Sequence, residues 1–318
     1  MDAYAADPQP PAYLSLNREQ WEAKLKKSRE LASPCVLCGR LCHALRYTFA
    51  GGPKGSGQST TGTCKTRNRA TVASMGPHFG EEPPLVGWKG SGTIFFSGCN
   101  LKCIFCQNYD IAHLYEGQKV SDEELARIML KVQEMGCHNI NLVTPTHIVP
   151  NILSAVRIAT EQGLNIPLVY NTGGYDSFET IKLLEGIVDI YMPDMKYGES
   201  GPAQEFSDAA NYPEINFAAV KEMHRQVGDL VLGNNGIAIR GLLVRHLVLP
   251  GGLAGTKKIM DFLAQKISSD TYINIMAQYR PHYQATGHAV LGRRIKNSEY
   301  RRALQIAKKA GLTRIQTQ

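Results

Sequence analysis

The sequence predicts an α/β protein built on parallel strands, and three observations carry that prediction. From residue 93 onward, short runs of β-branched, aliphatic and aromatic residues alternate with amphipathic stretches of helical period. A Gly, a Pro or a capping residue punctuates most of the changes. The chain has 318 residues, 43% of them hydrophobic, which is enough for a sizeable core. Alternating β and α elements argue for right-handed crossovers between parallel strands. Six such units fit an incomplete (β/α)6 barrel or an open doubly wound sheet. In both architectures ligands bind at the carboxyl ends of the strands.

The elements follow in order. Residues 1–14 are rich in Pro and Ala and are expected to be mobile. Residues 17–32 read as a helix with Trp21, Leu25 and Leu31 on one side. Residues 35–64 show little periodicity, and the run AGGPKGSGQSTTGT within them reads as a flexible loop. Strands are expected at 93–96, 140–144, 167–171, 188–192, 242–249 and 272–276. Between them, Ser121 and Glu124 form a capping box that opens a helix ending near Gly136. Further helices are expected at about 150–162, 177–184, 217–226 and 257–266, and Ser298 is expected to cap a last helix ending near Gly311. The organisation predicted is a mobile terminus (1–14), a helix and four-cysteine extension (15–90), the β/α region (91–290) and a basic C-terminal helix (291–318).

The net charge of +7 is localised. Residues 291–318 carry eight basic residues against Glu299, so the rest of the chain is close to neutral. A solvated helix face is the expectation there, and a nucleic-acid partner is not. No apolar run approaches the roughly 20 residues of a membrane span. The opening residues show neither a basic nor an apolar signal region, so a soluble, cytoplasmic protein is expected.

The eight cysteines are the most informative residues. Cys99, Cys103 and Cys106 have the spacing C-x3-C-x2-C directly after the first predicted strand of the β/α repeat. Three thiolates on a short loop suit three irons of a cubane [4Fe–4S] cluster and leave the fourth iron open to a substrate. Structural zinc would want a fourth ligand, and none follows closely before His113. Upstream, Cys35, Cys38, Cys42 and Cys64 offer four thiolates, enough to close a metal site. Tetrahedral zinc and an auxiliary [4Fe–4S] cluster both suit that set. Cys137, at a helix end, reads as a packing residue.

The run GSGTIFFSGCNLKCIFCQNYDI, with Phe105 just before the last cysteine, resembles the radical S-adenosylmethionine (SAM) superfamily. Its wider context is similar to the pyruvate formate-lyase activating enzyme-like subgroup, over roughly residues 35–283. The resemblance implies an incomplete barrel of the radical SAM type and an oxidoreductase that binds a [4Fe–4S] cluster and SAM. In that chemistry one electron, from a donor such as flavodoxin or ferredoxin, cleaves SAM to methionine and a 5′-deoxyadenosyl radical, which abstracts hydrogen from a substrate. It also implies roles at the strand ends. Phe105 would pack near the adenine. Thr144, Thr146 and His147 stand where the superfamily usually has a Gly-Gly-Glu type segment for the SAM amino group. Thr172 and Gly173 follow the third strand. Asp194 and Lys196 match the Asp-x-Lys segment of activating enzymes, and Arg245 an arginine that helps to hold SAM. Asn171 replaces an expected Asp, which removes one negative charge from that family's cation position.

Three functions remain open on the sequence. One is a radical SAM enzyme acting on a protein or peptide, as a glycyl-radical activase does. Another is a radical SAM enzyme acting on a small molecule. The third is an iron–sulfur electron carrier or metal-stabilised binding module without SAM chemistry; the ligand residues Thr172, Asp194 and Arg245 argue against it. His147 and Arg280 are the candidate catalytic residues, since both follow predicted strand ends. A structural ion pair is the alternative for Asp194, Lys196 and Arg245, and a core aromatic for Phe105.

Overall fold

The computed structural model describes residues 5–6, 9–47 and 60–317. Most of the loop expected between Cys42 and Cys64 lies outside the described residues, as do positions 1–4 and 7–8 of the segment expected to be mobile.

Six parallel strands form the centre: β1 Ser91–Phe96, β2 Ile140–Val143, β3 Leu168–Thr172, β4 Ile190–Pro193, β5 Ala238–Leu247 and β6 Tyr272–Met276. Each pairs in parallel with the next, so sheet order follows chain order. The sheet stays open. The free edge of β1 carries the antiparallel strand Ala70–His78 and, beyond it, Gln118–Val120, while the edge of β6 carries Ile315–Gln316. The fold is therefore α/β with a mostly parallel sheet.

The helices relevant to the site are α1 Arg18–Leu31, α2 Asp122–Glu134, α3 Val149–Glu161, α4 Phe178–Leu183, α5 Tyr212–Val227, α6 Thr256–Phe262 and α7 Asn297–Ala310. The capping box of α2 is formed: Ser121 Oγ accepts from Glu124 N at 3.2 Å, and Glu124 Oε2 accepts from Ser121 N at 2.6 Å. Strand β3 shows why these strands read as continuous apolar runs. Leu168 and Tyr170 pack toward the helical layer, while Val169 faces the interior of the sheet, and all three are buried.

The structure departs from the sequence expectations in three places. Ala70–His78 was not expected as a strand. Its Gly76 and Pro77 read as breakers, but on an outer antiparallel strand with a half-exposed face they are tolerated. That strand pairs with β1, so residues on both sides of position 90 share one sheet. The turn Pro83–Val86 enters the sheet's interior, where Leu85 packs with Val169, Ile190, Met192 and Leu243. Finally, α7 begins at Asn297, so Ser298 lies inside the first turn and is not its cap. Glu299 serves that end instead, accepting from Lys296 N at 2.7 Å and pairing with Arg293 at 2.8 Å. Ala303 and Ala307 face inward on α7, and Arg301, Arg302, Lys308 and Lys309 are exposed. At the other end of the chain, Tyr13 is buried and its hydroxyl donates to Ile166 O at 2.9 Å.

His246 on β5 is fully buried. Its ring lies 2.7 Å from Met195 O through Nδ1 and 2.9 Å from Thr256 Oγ1 through Nε2. The carbonyl requires a proton on Nδ1, so Nε2 accepts from the threonine hydroxyl and the ring is neutral. Burial pushes this imidazole down to about 4. Its unfolded value is roughly 6.5, so below that pH the unfolded chain takes up a proton that the native chain refuses. Stability is full above the unfolded value and falls as pH drops toward the folded one, by about 3 kcal/mol for this residue. Denaturant titrations at pH 7 and pH 4 should show that loss shrinking in His246→Gln. An identical pH dependence in the two proteins would show that His246 does not carry it.

Candidate functional site

The carboxyl ends of the strands surround a cavity of about 240 Å³. Cys99, Cys103 and Cys106 line it, together with Phe105, Thr144, Asn171, Thr172, Gly173, Asp194, Lys196, Arg245, Met276 and Tyr279. The loop following β1 supplies the cysteines and Phe105, and the ends of β2 to β6 with the residues just after them supply the rest. This is where a parallel α/β sheet gathers its ligand-binding groups.

The three-cysteine loop is tightly braced. Lys102 N and Ile104 N donate to Ser207 O and Phe206 O at 3.1 and 2.9 Å, so the helix Ser200–Ser207 supports its backbone. Ser207 Oγ donates to Cys103 Sγ at 2.9 Å and lies 2.7 Å from the Tyr197 hydroxyl. Gly98, at φ 87°, opens the loop; a Cβ there would press on Cys64 O at 2.7 Å. Burial raises the Cys99 thiol to about 11 and the Cys106 thiol to about 12, with the neighbouring cysteines adding to it. Thiolates at these positions at neutral pH therefore require a cation among them, which is what a cluster's irons supply. The donor set fits an iron–sulfur cluster.

Opposite the cysteines lies a buried charge network. Asp194 Oδ1 accepts from Arg245 Nε at 2.9 Å and its Oδ2 from Lys196 Nζ at 2.6 Å. Arg245 Nη2 donates to Asn171 Oδ1 at 2.7 Å, and its Nη1 reaches Glu81 Oε2 at 3.5 Å. Burial alone would raise the Asp194 carboxyl, but Arg245 and Lys196 overcome it and hold the group below its ordinary range. The same carboxylate raises both cations against the lowering effect of their own burial. Tyr212 OH, 2.9 Å from both Gly173 O and Asp194 O, and Asn216 Nδ2, 2.9 Å from Gly174 O and Asp194 O, pin the ends of β3 and β4 together. Gly174, at φ 74°, leaves room for that contact, since a Cβ would collide with Asn216 and Asp194 O.

Not every sequence-predicted residue faces the cavity. His147 is buried, with Nε2 2.9 Å from Ser97 O and Nδ1 without a partner, and it does not line the cavity. The ring holds the backbone that enters the cysteine loop. Burial pushes it down to about 4, so it is neutral. Thr146 is buried too, its hydroxyl 3.1 Å from Thr172 Oγ1 and outside the lining. Arg280 is exposed and lines a separate surface pocket with Arg294 and Tyr300, which removes it from the cavity wall. Phe105 is buried against Tyr279, edge to face, with ring centroids 5.8 Å apart. Thr172 Oγ1 donates to the fully buried Asp176 at 2.7 Å. Reading the sequence missed Asp176, Ser207, Tyr212 and Glu81; the last three act through contacts distant in sequence, and Asp176 acts on Tyr170 and Thr172 across a turn that carries no spacing signal of its own.

Cys35, Cys38, Cys42 and Cys64 are neighbours on the outer side of the same loop. Cys35 lies near Cys42, and Cys38 near Cys35 and Cys64. Cys42 is exposed and the other three are buried. Gly39 N donates to Tyr175 O at 3.2 Å, and Arg40 Nε to Asn100 O at 2.8 Å, so this segment packs against the residue after Cys99. Among the described residues, no three His, Cys, Asp or Glu side chains converge on a single-ion position. No helix among them is long and apolar enough to cross a membrane.

A protein of Methanocaldococcus jannaschii, uncharacterized protein MJ0674, is 31% identical to this chain over 301 residues, covering 92% of this chain and 79% of its own length. A radical SAM methyltransferase from Sphaerobacter thermophilus shares the fold at 16% identity and a TM-score of 0.50, over 71% of this chain and 66% of its own, just under two thirds. HydG, a maturase of the [FeFe]-hydrogenase, aligns at 14% identity and a TM-score of 0.45, over 67% of this chain and 47% of its own. The profile of the radical SAM superfamily matches residues 93–263, more than half of the chain, from within β1 to the end of α6. The chain belongs to the radical SAM superfamily, and membership implies an enzyme that uses a [4Fe–4S] cluster, SAM and a one-electron reductant.

Proposed function

We propose that the protein is a radical SAM oxidoreductase of the pyruvate formate-lyase activating enzyme-like kind, acting on a protein or peptide. One observation carries the reading. The three cysteines and the strand-end residues Thr144, Thr172, Gly173, Asp194, Lys196 and Arg245 line a single cavity. We read the open six-stranded sheet as the incomplete barrel of that kind of enzyme.

Cys99, Cys103 and Cys106 hold the [4Fe–4S] cluster through three thiolates. When bound, cluster and SAM together supply a 5′-deoxyadenosyl radical able to take hydrogen from a substrate. The chain's own residues bind and orient. The Thr144 and Thr172 hydroxyls and the Gly173 backbone accept from or approach the amino acid end of SAM. Asp194 attracts its ammonium, and Lys196 and Arg245 attract its carboxylate. Phe105, backed by Tyr279, gives the adenine an apolar face. Asn171 Oδ1 accepts from Arg245, so this residue helps to hold the arginine in place. A second metal centre, zinc or an auxiliary cluster, sits on Cys35, Cys38, Cys42 and Cys64. A small-molecule substrate is the second reading.

Anaerobic reconstitution with iron and sulfide, followed by SAM and dithionite, should yield 5′-deoxyadenosine. Cys99→Ala, Cys103→Ala and Cys106→Ala should each abolish that product and keep the circular dichroism of a folded chain. Full cleavage in any one of them would sink the cluster assignment.

Asp194→Ala and Arg245→Ala should keep the cluster and bind SAM more weakly. Loss of one charge-assisted hydrogen bond costs on the order of 1.5–3 kcal/mol, or roughly tenfold to a hundredfold in affinity. Unchanged affinity in both, by equilibrium dialysis, returns these residues to a purely structural ion pair.

The substrate class is separable by isotope transfer. Extract from cells grown on deuterated medium, split into macromolecular and small-molecule fractions, should label 5′-deoxyadenosine from the macromolecular one. Label from the small-molecule fraction alone favours the second reading.

A further inference from the structure

We infer that Arg46 is the buried counter-charge of an anionic metal–tetrathiolate centre on Cys35, Cys38, Cys42 and Cys64. The inference rests on the reading of those four cysteines as a metal site. It goes beyond that reading by assigning the centre's charge and the residue that answers it.

Arg46 is 1% exposed. Its Nε and Nη2 both donate to Arg67 O, at 3.1 and 2.8 Å, and its Nη1 is buried without a partner. Other arginines near the site are answered by carboxylates: Arg245 by Asp194 and Glu81, and Arg40 by Asp208. Among the described residues no Asp or Glu pairs with Arg46, and residues 48–59, which follow it in the chain, contain neither. A guanidinium cannot escape by losing its proton. Holding it unpaired in a low-dielectric interior costs several kcal/mol. Some anion must offset that cost.

Cys35 N donates to Ala44 O and Cys35 O accepts from His43 N, both at 3.0 Å, which brings the Cys35 thiol beside the guanidinium of Arg46. Cys35 in turn neighbours Cys42 and Cys38, and Cys38 neighbours Cys64. Four neutral thiols offset nothing. Four thiolates on a zinc ion, or on a [4Fe–4S] core of the same charge, leave a dianion next to Arg46. The buried cation and the four cysteines are thus two halves of one charge balance. A lone buried arginine would be unfavourable without an anion beside it, and four thiolates, three of them on buried cysteines, would be unfavourable without a metal.

The test uses the full chain carrying Cys99→Ala, Cys103→Ala and Cys106→Ala, so that metal bound at cysteine sits only on the upstream set. It is loaded anaerobically with zinc alone or with ferrous iron and sulfide, and the metal retained per chain is counted. Stoichiometric retention of either supports the site, and the arm that retains it identifies the centre. Retention of neither overturns the metal reading and this inference with it. With metal bound, Arg46→Met should release it to a chelator at least tenfold faster, and Arg46→Lys should recover most of the difference. Equal release rates overturn the role of Arg46 and leave the metal site standing. Melting temperature gives a second readout that a merely structural arginine would not move in this way. Arg46→Met should lower it when the centre is loaded, and leave it unchanged or raise it when all four upstream cysteines are Ser. An equal drop in both backgrounds assigns Arg46 to its hydrogen bonds with Arg67 and overturns the inference.

Discussion

Asp194 is the interaction on which the site depends. It is a carboxylate taken out of water between Arg245 and Lys196, and the three side chains come from β5 and from the turn after β4. Removing any one member would leave a charge without its partner in a poorly solvated place, which is the costly outcome for a buried pair. The triad therefore fixes where the strand ends stand. Arg245 extends it to β3 through Asn171 and to the turn before β1 through Glu81. Four separate segments are tied to one guanidinium. Charges already paired, yet bordering a cavity, suit a zwitterionic ligand. Such a ligand can exchange one set of ionic contacts for another without a net charge being buried.

The cysteine loop is held by different means, because thiols make weak hydrogen bonds. Its backbone amides go to the helix Ser200–Ser207, and Cys103 Sγ accepts from Ser207. Asn100 joins the two cysteine sets. Its Oδ1 lies 3.8 Å from Cys99 Sγ, its Nδ2 donates to Tyr175 O at 3.0 Å, and its side chain meets Cys38. The upstream segment thus acts as the outer wall of the downstream loop. Order in one is order in the other. This coupling explains why a long irregular stretch is kept so close to the strand ends: it supplies contacts that a regular helix could not deliver at that corner.

Much of this was legible in the sequence, for reasons that differ by residue. The strands β1 to β6 were readable because burial on both faces demands unbroken apolar runs, as in Leu168 to Tyr170. The capping box at Ser121 and Glu124 was readable because it is a local hydrogen-bond pattern. The three cysteines after β1 were readable because their spacing is itself the chemistry. Ala70–His78 was not, since an outer strand with one half-exposed face tolerates Gly76 and Pro77. Nor was Leu85, whose place inside the sheet depends on a turn entering from outside. His147 and Arg280 show what position in the chain leaves open. Both follow strand ends in the sequence, but the direction of a side chain after a strand is decided by the turn. The turn sends His147 back toward Ser97 and Arg280 out to solvent.

The same contrast explains why reaction class and substrate separate. The groups proposed to handle SAM sit on strand ends, and strand ends are set by the core. Groups that meet a substrate sit on loops, and after β6 the chain from residue 277 to 296 has little regular structure beyond the turn Tyr283–Gly287. Tyr279 packs edge to face on Phe105 and Ala285 N donates to Ile104 O at 2.9 Å, which ties that segment to the cysteine loop, and a ring stack adds to these contacts. Tyr283 stacks on both Tyr109 and His113, with centroids 5.2 Å apart and planes 13° apart in each pair. Tyr109 and His113 are four residues apart on the short helix Tyr109–His113 just after Cys106, so they present one face to a single ring. Tyr283 holds a left-handed backbone, φ 51°, to make the contact, a conformation that costs a bulky residue of the order of 1–3 kcal/mol. The stack offsets that cost with aromatic contact worth about 0.5–1.5 kcal/mol per pair. The balance is close to even. The loop after β6 is therefore anchored to the cysteine loop chiefly by the Ala285–Ile104 hydrogen bond and the Phe105–Tyr279 contact, and the stack fixes the orientation of Tyr283 at little net cost.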